Sequence, residues 1–173
     1  VSDGRDSQRP RALVSAPPMN PKPPPIPTSL HGATPATERW VRRYAPRPNA
    51  KMRLFCFPYA GAGANVFRDW ALRLPESIEV CAVEYPGRGT RLREPVSGDL
   101  LGLARDAGAA IEPLLDRPFA AVGYSFGALV AYEWVRRLAA APAGPQPARL
   151  LLCARGGPEL PPRSPPLHDL EES

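Results

Sequence analysis

The pentapeptide Gly123-Tyr124-Ser125-Phe126-Gly127 holds one hydroxyl between two glycines. An apolar run, Phe119–Val122, leads straight into it, and a helical pattern over Phe126–Ala140 leads straight out. A chain that turns from strand to helix this sharply forces the residue at the bend into a sparsely populated conformation. Side chains at 123 and 127 would collide with neighbouring backbone, and glycine at both positions removes the collision. The hydroxyl then sits at a helix N-terminus, whose free N–H groups favour developing negative charge. Such a group suits acyl transfer: it attacks a carbonyl carbon while amide donors meet the oxyanion. The alternative is a plain strand-to-helix turn with an exposed serine.

A second set of backbone donors would be needed, and the sequence offers it. Met52–Phe57 is a short apolar run closed by Pro58-Tyr59-Ala60-Gly61-Ala62-Gly63, so a strand ends in a Gly-rich turn. The Ser125 motif resembles the nucleophile elbow of α/β-hydrolases. In that fold one oxyanion N–H comes from the loop after an early strand and the other from the residue after the nucleophile. The resemblance implies the backbone N–H groups of Ala60 and Phe126 as donors. A dinucleotide site competes for the same loop. Gly61-x-Gly63 follows a strand, and Glu84 stands about twenty residues on, where a ribose ligand would be wanted. The third glycine of that fingerprint falls at Val66, however, and a branched side chain there obstructs close helix–strand packing.

The elements that must position these groups alternate. Strands are expected at Met52–Phe57, Glu79–Glu84, Phe119–Val122 and Leu150–Ala154. Helices are expected from an Asn65 cap through Phe67, Trp70, Ala71 and Leu74, over Asp99–Leu115, and over Phe126–Ala140. Short apolar strands without polar alternation predict a parallel sheet covered by helices on both faces, an α/β fold.

Composition divides the chain. Residues 1–36 hold nine of its 25 prolines and few large apolar groups, which predicts a disordered, polyproline-like arm. Residues 37–173 are expected to form the folded part. The net charge of +5 lies entirely in residues 1–50, where eight Lys/Arg face three Asp/Glu; residues 51–173 carry fourteen of each. A neutral folded part without a basic stripe lacks the footprint of a nucleic-acid binder. No apolar run reaches the length of a membrane span, and the first residues carry no signal-peptide core. Cys56, Cys81 and Cys153 each fall within a strand, so buried free thiols in a reducing cytoplasm are expected rather than disulfides or a zinc site.

Three stretches resemble the type II thioesterases of non-ribosomal peptide and polyketide synthesis: Arg53–Gly63, Tyr85-Pro-Gly-Arg-Gly-Thr-Arg91, and Val122–Ala128. The second is the most diagnostic, because general esterases rarely carry Pro-Gly-Arg-Gly after that strand. A tight turn with solvated arginines is its plain alternative. The resemblance implies hydrolysis of acyl or aminoacyl thioesters from phosphopantetheinyl acyl-carrier or peptidyl-carrier proteins in antibiotic biosynthesis. Ser125 would be the nucleophile, and no metal or cofactor is implied. Tyr124 stands where the family usually has His.

The resemblance also implies an Asp or Glu and then a His after the serine. His168, in a Pro-rich tail, is expected to be a lid residue, and His31, Glu159 and Asp169 are weak substitutes. Residues 37–173 are therefore expected to be the N-terminal part of a thioesterase domain, weakly active or inactive alone. A catalytically dead remnant or carrier-protein-binding module is one alternative, and an integral product-releasing thioesterase domain is another.

Overall fold

The computed structural model describes residues 34–141 and 144–154. Its first elements are a helix α1 (Pro35–Trp40) and a two-residue strand β1 (Val41–Arg42). Composition assigns Pro35 and Ala36 to the arm, yet they form the first turn of α1. Pro is suited to that turn, since it gives up an N–H that has no intrahelical partner, and the Thr34 side chain accepts from Thr37 N at 3.1 Å.

The remaining elements follow in alternation: β2 (Met52–Phe57), α2 (Arg68–Arg73), β3 (Ile78–Val83), α3 (Leu100–Ile111), β4 (Phe119–Tyr124), α4 (Phe126–Ala139) and β5 (Arg149–Cys153). Short 3-10 turns precede α2 and follow α3. The Asn65 cap of the sequence reading is not realised. Gly63 occupies the cap position, and Asn65 lies inside the 3-10 turn Ala64–Phe67. Asp99 does cap α3, its carboxylate accepting from Leu101 N at 3.0 Å.

The five strands form one sheet in the order β1-β3-β2-β4-β5. The four longer strands are parallel, and β1 runs antiparallel on β3, pairing Val41 with Val83. Alternation of side chains along the strands gives each face its own core. Phe55, Phe57, Cys81 and Val83 face α3 and α4 with Trp134 at the centre, and Cys56, Val80, Ala82 and Val122 face α2. Trp134 meets Phe55 edge-on at 5.5 Å between ring centroids, geometry that adds to the burial itself.

Below the sheet, at the starts of β2 and β3, Arg53 and Glu79 are almost wholly buried and pair at 2.7 Å, with Arg43 a further 3.7 Å from the carboxylate. Such a pair is tolerated because its remaining hydrogen-bonding capacity is used: Arg53 also donates to Leu114 O, and Arg47 N donates to Glu79. Cys56 and Cys81 are buried free thiols, and burial pushes both well above the usual thiol range. Cys153 departs from the expectation. It is only half-buried, because β5 pairs with β4 alone among the described residues and leaves Leu151 and Leu152 exposed.

Candidate active site

One residue separates β4 from α4. Ser125 holds that bend at φ 53° and ψ −112°, left-handed backbone that costs a non-glycine residue of order 1–3 kcal/mol. The surroundings enforce it. Ser125 N donates to Cys153 O at 2.8 Å on β5, and Ser125 O accepts from Ala128 N at 3.0 Å in the first turn of α4. The serine side chain does not cap the helix, and among the described residues the hydroxyl of this half-buried residue has no hydrogen-bond partner.

The two flanking glycines are sites of direct backbone contact. A Cβ on Gly123 would lie 2.5 Å from Ala128 Cα, and one on Gly127 would lie 2.5 Å from Pro58 O and overlap the Phe57 carbonyl. The start of α4 therefore packs against the end of β2, which brings the 58–63 turn beside Ser125. Tyr59 and Tyr124 meet edge-to-face at 5.7 Å between rings. The turn closes by Ala62 N donating to Tyr59 O at 3.1 Å, with Gly61 at φ 82°.

Ala60 and Phe126, named from sequence as the two donors, line one cleft of about 210 Å³. Gly61 shares their side, and Tyr85, Pro86, Arg88, Val96, Ser97 and Leu103 complete the wall. Tyr85 stacks edge-on against Phe126 at 5.9 Å, fixing the far wall to the elbow.

Glu84 has a different role from the one the dinucleotide reading gave it. It is 2% exposed, and its carboxylate accepts from Ala64 N at 2.8 Å and Thr90 N at 3.4 Å, with Arg42 Nε 3.6 Å away. Buried and turned to these backbone groups, it is closed to a ribose. The carboxylate instead ties the turn after β2 to the turn after β3. Gly63 and Gly89 are small because of it: a Cβ on Gly63 would stand 2.7 Å from Glu84 Oε1, and one on Gly89 would overlap the carboxylate. Sequence reasoning missed this tie. Its signal was an acid ending an otherwise apolar strand between two Gly-rich turns.

The Pro-Gly-Arg-Gly turn is not simply a solvated one. Arg91 is buried, stacks over Trp40 at 4.1 Å, donates to Glu84 O at 2.9 Å and pairs with Glu94 at 2.7 Å. Hydrogen bonds from Arg91 and Arg39 hold the Glu94 carboxyl down to about 2. Arg88, by contrast, is half-buried at the cleft wall and donates to Gly87 O at 2.7 Å.

Removing the tie at Glu84 tests its role. Glu84→Ala is expected to cost about 2–3 kcal/mol, the worth of hydrogen bonds to a charged acceptor. It should also raise amide hydrogen exchange in 59–64 and 86–91 while leaving α4 protected. Unchanged exchange in both turns would show that they are held by other contacts.

Among the described residues no group of three or more His, Cys, Asp or Glu is placed to hold a metal ion, and no helix is long and apolar enough to cross a membrane. His31, His168, Glu159 and Asp169 lie outside the described residues.

Comparison with known proteins agrees with this geometry. A family model described as thioesterase domain matches residues 52–164. Linear gramicidin dehydrogenase LgrE of Brevibacillus parabrevis is 38% identical over 135 residues, covering 78% of this chain and 51% of the relative. Gramicidin S biosynthesis protein GrsT of Aneurinibacillus migulanus is 38% identical over 112 residues, covering 65% and 43%. Among solved structures, the type II thioesterase BorB from the borrelidin biosynthetic cluster superposes with a TM-score of 0.59 at 34% identity, over 65% of this chain and 47% of that one. The chain thus spans about half the length of the relatives it matches. With the strained serine, its flanking glycines and the parallel sheet beneath them, the match places the chain, an α/β-hydrolase fold, in the thioesterase domain family.

Proposed function

We propose that Ser125 is the nucleophile of a hydrolase that releases acyl or aminoacyl groups from the phosphopantetheine arm of carrier proteins, as an editing thioesterase of non-ribosomal peptide or polyketide synthesis. The observation that carries this reading is the backbone of Ser125. It is held at positive φ between two glycines that cannot be enlarged, and it leads into the residue that shares a cleft with Ala60.

In this reading Ser125 Oγ bonds to the thioester carbonyl carbon and passes its proton to a base. The carbonyl oxygen becomes an oxyanion between Ala60 N–H and Phe126 N–H. The C–S bond then breaks, and the thiol leaves carrying the proton. Water attacks the resulting serine ester and regenerates the hydroxyl. A thiol near pKa ~8.5 needs less protonation help in leaving than an amine does. No acid or base is assigned among the described residues; His168, the sole histidine after Ser125 in the sequence, lies outside them. A cytoplasmic location is part of this proposal, since carrier-bound intermediates are made there and Cys56 and Cys81 are free thiols.

A hydride-transfer reading, suggested by the printed name of one relative, meets two obstacles. Val66 occupies the third glycine position, and the Glu84 carboxylate is buried against Ala64 N and Thr90 N. A carrier-binding module without catalysis remains distinct in its outcome. The full-length protein should deacylate a carrier protein loaded with an acyl-phosphopantetheine and leave NADPH unconsumed. Tight carrier binding with no deacylation would support the module instead.

A further inference from the structure

We infer that the loop 87–96, on the rim of the cleft, is the docking surface for the carrier protein. Its unpaired arginines attract the phosphodiester that joins the pantetheine arm to the carrier, and Leu92 packs against the carrier beside that point. This rests on the reading of Ser125 as a thioesterase nucleophile and adds where the macromolecular substrate lands.

The loop is folded on itself. Gly87 N and Glu94 N both donate to Arg91 O, at 3.0 and 2.9 Å, and the Arg91 side chain pairs with Glu94 at 2.7 Å. A Cβ on Gly87 would stand 2.6 Å from Val96 Cγ2, so the end of the loop lies on its beginning. Both ends reach the cleft: Arg88 and Val96 line it together with Ala60 and Phe126. Val96 is at the same time 62% exposed. The loop therefore stands at the solvent edge of the cleft, where a tethered arm enters.

Charge on this rim is uneven. Arg88, Arg91 and Arg93 belong to the loop, and Arg39 and Arg42 bond to its Glu94 and Thr90. The carboxylates among them are Glu94, shared by Arg39 and Arg91, and the buried Glu84, 3.6 Å from Arg42. Arg88 and Arg93 have no carboxylate partner among the described residues, and Arg93 is exposed. Five arginines against two carboxylates leave three positive charges at the edge of the cleft. The phosphodiester of the arm is an anion fixed to the carrier surface, so the excess has the sign that steers the carrier to this edge. The apolar part of the contact is Leu92, 72% exposed, which with Val96 flanks Arg93 on the loop. Exposed apolar side chains set among charges are a common form of protein interaction site.

The full-length protein should be assayed on one acyl group presented in two ways, on a carrier protein and on free pantetheine, which has neither the protein nor the phosphate. Arg93→Glu should lower kcat/KM for the acyl-carrier roughly three- to tenfold, through KM, and leave acyl-pantetheine within about twofold. Its melting temperature should hold, because Arg93 is exposed and makes no ion pair among the described residues. Arg93→Lys should restore the carrier reaction, and salt at about 0.5 M should erase the difference between wild type and Arg93→Glu. Leu92→Asp should repeat the carrier-specific loss. An unchanged carrier reaction in Arg93→Glu overturns the inference. So does an equal loss on both substrates, which would make the loop part of the cleft's own shape. Failure of the thioesterase reading shows separately, as a wild type that deacylates neither substrate. Docking is then judged by the Kd for the acyl-carrier protein, which Arg93→Glu must still weaken.

Discussion

Ser125→Ala is expected to lower thioester hydrolysis by the full-length protein by about 10⁴–10⁶-fold, the loss that accompanies removal of the nucleophile from a serine hydrolase. Binding of the substrate should change far less, because the cleft walls and both proposed amide donors remain. Stability should hold as well. Alanine at φ 53° carries strain similar to that of serine, and among the described residues the serine hydroxyl makes no hydrogen bond whose loss would matter. The signature is a collapse of kcat with an almost unchanged melting temperature. A variant that retains a tenth of the wild-type rate would remove Ser125 from the chemistry.

The second large effect is on folding. Gly127→Ala is expected to cost more than about 4 kcal/mol, a loss confined to a few mechanisms such as steric conflict with fixed backbone. The added Cβ would overlap the Phe57 carbonyl and lie 2.5 Å from Pro58 O. Neither atom belongs to a flexible side chain, so β2 and α4 would have to separate. Typical domains have only about 5–15 kcal/mol in total, and urea denaturation should show the variant largely unfolded. Gly61→Ala is the control. Gly61 sits at φ 82° with nothing within 4 Å of a Cβ, so it should lose only the backbone penalty of about 1–2 kcal/mol. Equal losses at the two positions would mean that the backbone around 127 yields to a Cβ and that close approach does not fix the glycine there.

The contrast shows what the sequence could reveal. Met52–Phe57 and Phe119–Val122 were legible because parallel strands buried on both faces read as unbroken apolar runs, and the elbow was legible because both close approaches demand glycine. The antiparallel β1 was hidden: two residues, Val41 and Arg42, after a Pro-rich stretch carry no periodicity. The buried charges were hidden for another reason. Arg53, Arg91 and Glu84 look like solvated residues until tertiary structure brings their partners, which lie 26, 3 and 20 residues away. The same blindness kept Glu84 available to the competing ribose reading, which only Val66 opposed, although its oxygens accept from Ala64 and Thr90. Cys153 reads as buried like the other strand cysteines, whereas among the described residues its strand pairs on one side only.

The account turns on whether Ser125 becomes covalently modified. The full-length protein should be treated with a fluorophosphonate or an acyl thioester, quenched in acid and digested with trypsin. Mass spectrometry should then place the adduct in the peptide 106–136, where Ser125 is the single serine, and the adduct should vanish in Ser125→Ala. An unmodified 106–136 peptide from a protein that still hydrolyses thioesters would contradict the account.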